Sequence, residues 1–318
     1  MRKKYDIVSI GVMAYDMILR TVDETLFTRD TTLLEDVGVS VGGGSVIQTI
    51  TAQRLGCKTA VVGKLCRDSF SDDVMKALSD AGVDASHVVR SAEDSMSLTF
   101  ALVRPDGTRH FLGLAGSNNQ RLCLGDFELS VVTEAKIVSY GSFFFLKGLD
   151  RDGAPKIFDT ARQAGALTVA DCSSDSFHQG REIVLRNLPA IDYFIPSRVE
   201  AEYLTQEREP AFMAKALLAR GCRHVIIKLG REGCYVTDGH ISKVVRAFPV
   251  ENVRDTTGAG DTFVGGFMAG LIDEMDLFDA ARYANAAAAV SVTGVGAVTA
   301  LKDKAQVLAI MRGKNKEM

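Results

Sequence analysis

The sequence predicts an α/β fold: a mainly parallel sheet covered by helices on both faces, with a small β-sheet lid. Three observations carry this. Short apolar runs alternate with helical patterns along most of the 318 residues, the rhythm of a parallel sheet. Two segments, 13–41 and 97–114, break that rhythm with β-rich sequence. A glycine-rich turn, Asp255-Thr256-Thr257-Gly258-Ala259-Gly260-Asp261, opens a strongly apolar helical pattern.

The first strand is expected over residues 7–10, directly after the charged start Met1-Arg2-Lys3-Lys4. That apolar run is too short for a signal-peptide core. Residues 13–41 lack a clean helical period and hold Thr21-Val22-Asp23 and Val37-Gly38-Val39-Ser40-Val41. A helix is expected over 46–55, a strand over 59–62 and a helix over 72–81. Residues 97–114 read as a hairpin, because β-rich runs flank Pro105-Asp106-Gly107, a turn sequence with defined backbone chemistry. Strand 137–140, helix 154–164, strands 168–170 and 193–195, helix 200–204 and strand 225–228 follow. The last helical pattern, 276–289, is rich in alanine from Ala280 to Ala289. Such a helix can approach either a flat ligand or another backbone closely. No repeat, low-complexity tract or linker interrupts the chain. Residues 1–318 therefore read as one domain, with lid segments inserted at about 13–41 and 96–115.

Composition narrows the function. Hydrophobic content is 47% and charged content 24%, ordinary for a soluble globular protein. A net charge of −3 points to neither a nucleic-acid nor an anionic-membrane partner. No stretch of apolar residues is long enough for a membrane span. The six cysteines include no CxxC pair, and a chain this large needs no staples, so reduced thiols and a cytoplasmic location are expected.

The Asp255–Asp261 turn carries the chemistry. Small residues admit a ligand to the backbone. The first N–H groups of a helix have no intrahelical partner, and the helix dipole adds partial positive charge there. Together these make an anion cradle, with Asp261 beside it to deprotonate a hydroxyl. An anion hole plus a carboxylate suits phosphoryl transfer. The phosphate loop GxxxxGK[ST] is absent, and Gly11-Val12-Met13-Ala14-Tyr15-Asp16 stands where GxGxxG would follow the first strand. A P-loop ATPase and an ordinary dinucleotide dehydrogenase are both disfavoured.

At these residues the chain resembles the ribokinase-like (PfkB) carbohydrate kinases over essentially its whole length. The carriers are Gly42-Gly43-Gly44 leading into a helix that ends Arg54-Leu55-Gly56, and the Asp255–Asp261 turn. Ile195-Pro196-Ser197-Arg198-Val199-Glu200, Lys228-Leu229-Gly230-Arg231-Glu232-Gly233 and Asn285 support them. The resemblance implies a ribokinase-like three-layer body with a small β lid, and ATP-dependent phosphorylation of a hydroxyl on a sugar or sugar-like substrate. It implies Asp261 as general base, with the N–H groups of Gly258, Ala259 and Gly260 as the anion hole. As an Asp at a helix N-terminus, Asp261 is expected to have a low pKa. The resemblance further implies Asp16, Gly42 and Gly43 on the substrate. It places Ser197, Lys228, Gly230, Gly233 and Asn285 at the nucleotide, and Glu200 at Mg²⁺. Many relatives also bind a monovalent cation such as K⁺, at positions matching Asp255, Thr257, Ser291, Gly294, Gly296 and Ala300.

The departures are informative too. Ile47 stands where the family carries a substrate-binding Asn, and Ala14 where ribokinase carries another. Gln48, one helical step on, is turned by about 100°; it is retained as a candidate substrate contact but is not an automatic substitute. Ser197 replaces the Asn of Asn-x-x-Glu. The expectation is a kinase with a pocket more apolar than that of ribokinase, acting on a sugar with fewer hydroxyl contacts or on a nucleoside. The alternative is a catalytically weak nucleotide- or sugar-binding sensor. The exposed strand edges of a lid favour a partner, so a homodimer through the lid is expected.

Overall fold

The computed structural model describes residues 3–106 and 108–313. Met1 and Arg2, Gly107 of the expected turn, and the tail 314–318 of the expected domain lie outside the described residues. The strands are β1 (Tyr5–Gly11), β2 (Ala14–Arg20), β3 (Asp36–Gly42), β4 (Thr59–Cys66), β5 (Asp84–Ser91), β6 (Leu98–Val103), β7 (Arg109–Gly113), β8 (Ala135–Phe143), β9 (Leu167–Cys172), β10 (Tyr193–Phe194), β11 (His224–Lys228), β12 (Cys234–Thr237) and β13 (Ser242–Val245). One sheet has the order β13-β12-β11-β10-β9-β8-β1-β4-β5 and the other β3-β2-β6-β7.

From β5 across to β11 every pair in the large sheet is parallel, while β12 and β13 are added antiparallel at the edge. The alternation of side chains along a strand separates two cores. Ile7, Ile137, Val169, Ile195 and Ile226 enter one apolar cluster, with Phe263, Phe267 and Tyr283 from the covering helices. Val8, Val138, Ala170, Phe194 and Val225 enter the other, with Ile157 and Phe158. Burial on both faces is why these strands read as continuous apolar runs rather than alternating ones.

The helices lie close to where the pattern places them: Gly44–Arg54, Ser69–Asp80, Gly153–Gln163, Arg198–Thr205, Ala259–Ile272 and Leu277–Ser291. Side-chain caps fix several starts. The Asp68 carboxylate accepts the Ser71 N–H at 2.8 Å, and Asp276 accepts the N–H groups of Phe278 and Asp279. The alanine stripe of Leu277–Ser291 serves close helix packing over much of its length. A Cβ on Gly266 would come within 2.9 Å of Ala287 Cβ, and one on Gly270 within 3.0 Å of Ala280 Cα.

The small sheet is the lid. Its strands fall within the two segments that break the helical rhythm. β2 pairs antiparallel with β3 and parallel with β6, and β6 pairs antiparallel with β7. Asp16 lies opposite Ser40 and Thr99 on one face; Met17 lies opposite Val39 and Phe100 on the other. The chain runs outward from β1 to β4 and β5, then returns to place β8 on the other side of β1. That reversal is a topological switch point, where ligands of open α/β sheets gather at the carboxyl ends of the strands.

Candidate active site

A cavity of about 710 Å³ opens there. Its walls follow the strand ends in sheet order: Val12 after β1, Ser142 on β8, Asp171 on β9, Glu200 beyond β10 and Lys228 on β11. The lid contributes Asp16, Ser97 and Thr99. The expected anion cradle, Thr256 to Asp261, borders the same space.

The cradle begins at Gly258, the N-cap of the Ala259–Ile272 helix, with φ +71° and no side-chain cap. Glycine is required on two counts. The left-handed conformation disfavours a side chain, and a Cβ would lie 2.4 Å from Ala297 Cβ. No side chain caps this start, which leaves it open to an anion; the Ala259 N–H donates to the Thr256 carbonyl at 3.3 Å. A Cβ on Gly260 would stand 3.6 Å from Lys228 Nζ, so the ammonium sits beside the helix start. Lys228 keeps its charge. Burial lowers its pKa, but Glu200, Asp171 and Asp261 around it raise it to a net value above the ordinary lysine range.

The expectation of a low pKa at Asp261 is overturned. Burial pushes it up; Lys228 and a hydrogen bond from Gln48 oppose that, and the Glu200 charge adds to it. The helix dipole does not outweigh removal of the carboxylate from water. Asp16 is raised to about 6, first by burial, with Thr99 opposing and the charges of Asp261 and Asp255 adding.

The glycine run proves to have three separate jobs. A Cβ on Gly42 would meet Asp16 Oδ2 at 2.3 Å, so this residue makes room for the carboxylate; it is not on the cavity wall. Gly43 has φ +94°, and its Cβ would strike Val12 O at 2.3 Å. Gly44 forms a floor: a Cβ there would meet Ser142 Oγ at 2.6 Å and Asp261 Oδ1 at 3.1 Å. Ile47 lines the cavity, whereas Gln48 is fully buried behind the wall. Its amide donates to Asp171 Oδ2 at 3.0 Å and accepts from Ser139 Oγ at 2.9 Å.

Ser197 and Glu200 both face the cavity and form a capping box. Glu200 Oε2 accepts the Ser197 N–H at 2.6 Å, and Ser197 Oγ accepts the Glu200 N–H at 3.4 Å. One carboxylate oxygen is thereby committed to the helix start. Among the described residues no cluster of three or more metal-ligand side chains occurs. A single carboxylate beside an anion cradle fits Mg²⁺ held chiefly by phosphates and water; it does not fit an all-protein metal cage.

Gly230 and Gly233 turn the chain between β11 and β12 at the cavity, with φ +60° and +100°. Asn285 lines the cavity and donates to the carbonyls of Val245 and Arg246 at 3.0 and 3.3 Å. It therefore fixes the segment leading to Phe248, Pro249 and Val250, which also line the space. Asp255 is buried; it accepts from Thr257 N–H and hydroxyl, and from Gly296 N–H at 3.0 Å, tying two loops together. The expected monovalent-cation positions lie in those loops.

The sequence pattern did not mark several wall residues, among them Thr99, Asp171 and Ser142. Asp171 and Ser142 are each the last but one of an apolar strand and carry no motif. The usable signal was position alone, since a carboxylate just beyond residues 168–170 must fall at a strand's carboxyl end.

The pfkB family carbohydrate kinase profile matches residues 4–304. Fructokinase-1 of Zea mays is 30% identical over 322 residues, covering 96% of this chain and 97% of its own. A putative ribokinase II from E. coli, solved in complex with ATP and Mg²⁺, superposes with a TM-score of 0.84 at 20% identity, covering 97% and 99% of the two chains. Adenosine kinase from Sinorhizobium meliloti gives 0.84 at 22% identity, covering 98% and 99%. The fold is ribokinase-like, with the lid as its small separate sheet.

Proposed function

The chain belongs to the pfkB family of carbohydrate kinases, and from that footing we propose that it transfers the γ-phosphoryl group of ATP to a hydroxyl of a small sugar or nucleoside. The observation that carries this is the convergence on one cavity of Asp261, the helix start at Gly258–Gly260 that no side chain caps, and the half-buried Lys228. The acceptor hydroxyl hands its proton to Asp261, its oxygen bonds to the γ-phosphorus, and the bond to the leaving ADP breaks. The raised pKa of Asp261 suits a base that takes a proton late in a loose transition state. The backbone N–H groups and Lys228 hold charge on the transferring phosphoryl. Glu200 would hold Mg²⁺ beside the phosphates, and the ion would supply neutralisation of charge there.

Asp16 and Thr99 on the lid receive the acceptor's other hydroxyls. Val12, Ala14, Ile47 and Phe145 give the cavity an apolar portion, which favours a sparsely hydroxylated sugar or a nucleoside over ribose. Ser197, Lys228, Gly230 and Gly233 border the nucleotide, with Asn285 near its base. Carbonyls of the loops joined by Asp255 and Gly296 would hold a monovalent cation such as K⁺. No helix among the described residues is long and apolar enough to cross a membrane. The six cysteines carry free thiols, which supports a location in a reducing cytoplasm.

The test is ADP release from MgATP with D-fructose, D-ribose and adenosine. One acceptor other than ribose should be turned over selectively. Fast, selective turnover of ribose refutes the apolar-pocket reading, and no ADP with any acceptor favours a sensor protein instead.

A further inference from the structure

Asp171 ends β9 with its side chain wholly enclosed, and no step of the proposed reaction uses it. Its two oxygens are both occupied. Oδ1 accepts the Ser142 N–H at 2.5 Å, and Oδ2 accepts Gln48 Nε2 at 3.0 Å. Lys228, Asp261 and Glu200 are the charged groups around it.

The first contact falls on an unusual backbone. Ser142 has φ +70°, and Phe144, two residues on, has φ +78°. Side chains rarely adopt that region, and it persists only where neighbours enforce it. Here two buried carboxylates do so: Asp171 takes the Ser142 N–H, and Asp150 Oδ2 takes the Phe144 N–H at 3.0 Å. The result turns the end of β8 so that Ser142 and Phe145 face the cavity. Ser142 Oγ then stands over Gly44, where a Cβ would meet it at 2.6 Å and Asp261 Oδ1 at 3.1 Å.

The second contact fixes the amide that faces the base. Gln48 is held from one side by Ser139 Oγ and from the other by Asp171, and it also hydrogen-bonds Asp261. Gln48, Ser142 and Asp261 therefore share one floor at Gly44, and Asp171 grips two of the three.

We propose that Asp171 is a positioning residue for phosphoryl transfer: through the left-handed Ser142 backbone and the Gln48 amide it sets Asp261 against the acceptor hydroxyl. The proposal rests on the reading of Asp261 as base. A carboxylate suits this task because it accepts on both oxygens. An Asn offers one acceptor and one donor, and its donor would face the Gln48 or Ser142 donor. Burial raises Asp171 to about 7, with Asp261 adding; Lys228 and the Ser142 N–H oppose that and favour the ionised form that accepts on both oxygens.

The experiment is a double-mutant cycle of Asp171→Asn and Ser142→Gly, assayed with MgATP and the most active of D-fructose, D-ribose and adenosine. Misplacement on the ångström scale costs about 10²-fold, so Asp171→Asn should lower kcat by about that factor. KM for MgATP should stay within about 3-fold, because uniform binding is untouched. Glycine adopts φ +70° without enforcement, so in the Ser142→Gly background the same change should cost at least about fivefold less. An unchanged kcat, or a loss equal in both backgrounds, overturns the proposal. Amide exchange decides the matter without turnover: the Ser142 N–H should exchange at least about tenfold faster in Asp171→Asn, and unchanged protection overturns the proposal even if none of the three acceptors is phosphorylated. Near-normal turnover of Asp261→Asn would instead refute the parent reading of the base.

Discussion

At the residue scale, the two lid- and helix-borne carboxylates differ in what they should do when altered. Asp261→Asn removes the proton acceptor while keeping its size. General-base contributions run to about 10²–10⁴-fold, so kcat should fall by that range with nucleotide affinity retained; single-turnover kinetics beside nucleotide titration check both halves. Asp16 carries a pH signature. Its pKa is about 6 in the folded protein against about 3.9 in an unfolded chain. The folded state thus binds this proton more tightly. The favourable protonated form is fully present below about pH 3.9, and its contribution is lost as pH rises through 6. Asp16→Asn should therefore raise the melting temperature at pH 7.5, where relief of the buried charge is worth about 2–3 kcal/mol, and change little at pH 4. Equal effects at both pH values would contradict the raised pKa. Activity should move oppositely: kcat/KM for the acceptor should drop below about pH 6, as Asp16 protonates and loses acceptor capacity. The sequence singled out Asp261 and Asp16 as candidates, and both line the cavity, but their protonation was not legible in it. Helix-terminus position argued for a low pKa at Asp261, whereas burial raises it and the Glu200 charge adds to the rise, against the opposition of Lys228 and Gln48, all three on distant segments.

At the element scale, the start of the Ala259–Ile272 helix is where local sequence and site geometry agree most closely. Gly258→Ala forces a side chain into φ +71° and into Ala297. The conformation costs about 1–2 kcal/mol and the overlap about 1–3 kcal/mol. Turnover should fall more steeply than stability, because the cradle N–H groups move with Gly258. Thermal unfolding beside kcat tests this; a variant with lowered melting temperature but unchanged kcat would remove the cradle from the reaction. Helices and central strands were legible because each pattern reports one burial environment. β12 and β13 were not: they are four residues each, and β13, the edge strand, exposes Ser242 and Lys243. β5 escaped for a similar reason, since its residues are mostly half-buried and carry no apolar run.

At the scale of the whole molecule, the cavity depended on information no single segment holds. Asp171 and Ser142 meet only because β9 and β8 pair with a register shift between Tyr140 and Phe143, and sequence pattern does not encode register between positions 29 apart. The lid, by contrast, was legible as segments that failed the helical period, and its composition leads to the last prediction. The face carrying Asp16 looks into the cavity. The opposite face presents Met17, Val37, Val39, Phe100 and Leu112 as lateral neighbours, with Val37 53%, Val39 59% and Leu112 47% exposed. An apolar sheet face flanked by the open edges of β3 and β7 is a surface for self-association, and a stable dimer needs about 1,200–2,000 Å² in total. We therefore expect a dimer through the lid. Val39→Lys places a charge on that face at a site with little burial to lose. It should convert the dimer to monomer by light scattering while leaving the melting temperature of the body nearly unchanged. Because the same strands carry Asp16 and Thr99 on the cavity wall, the proposed acceptor site predicts that the monomer should also show a raised KM for the acceptor, with KM for MgATP unaffected. A wild-type chain that is monomeric at about 50 μM, or a Val39→Lys chain that remains dimeric, would exclude this face as the interface.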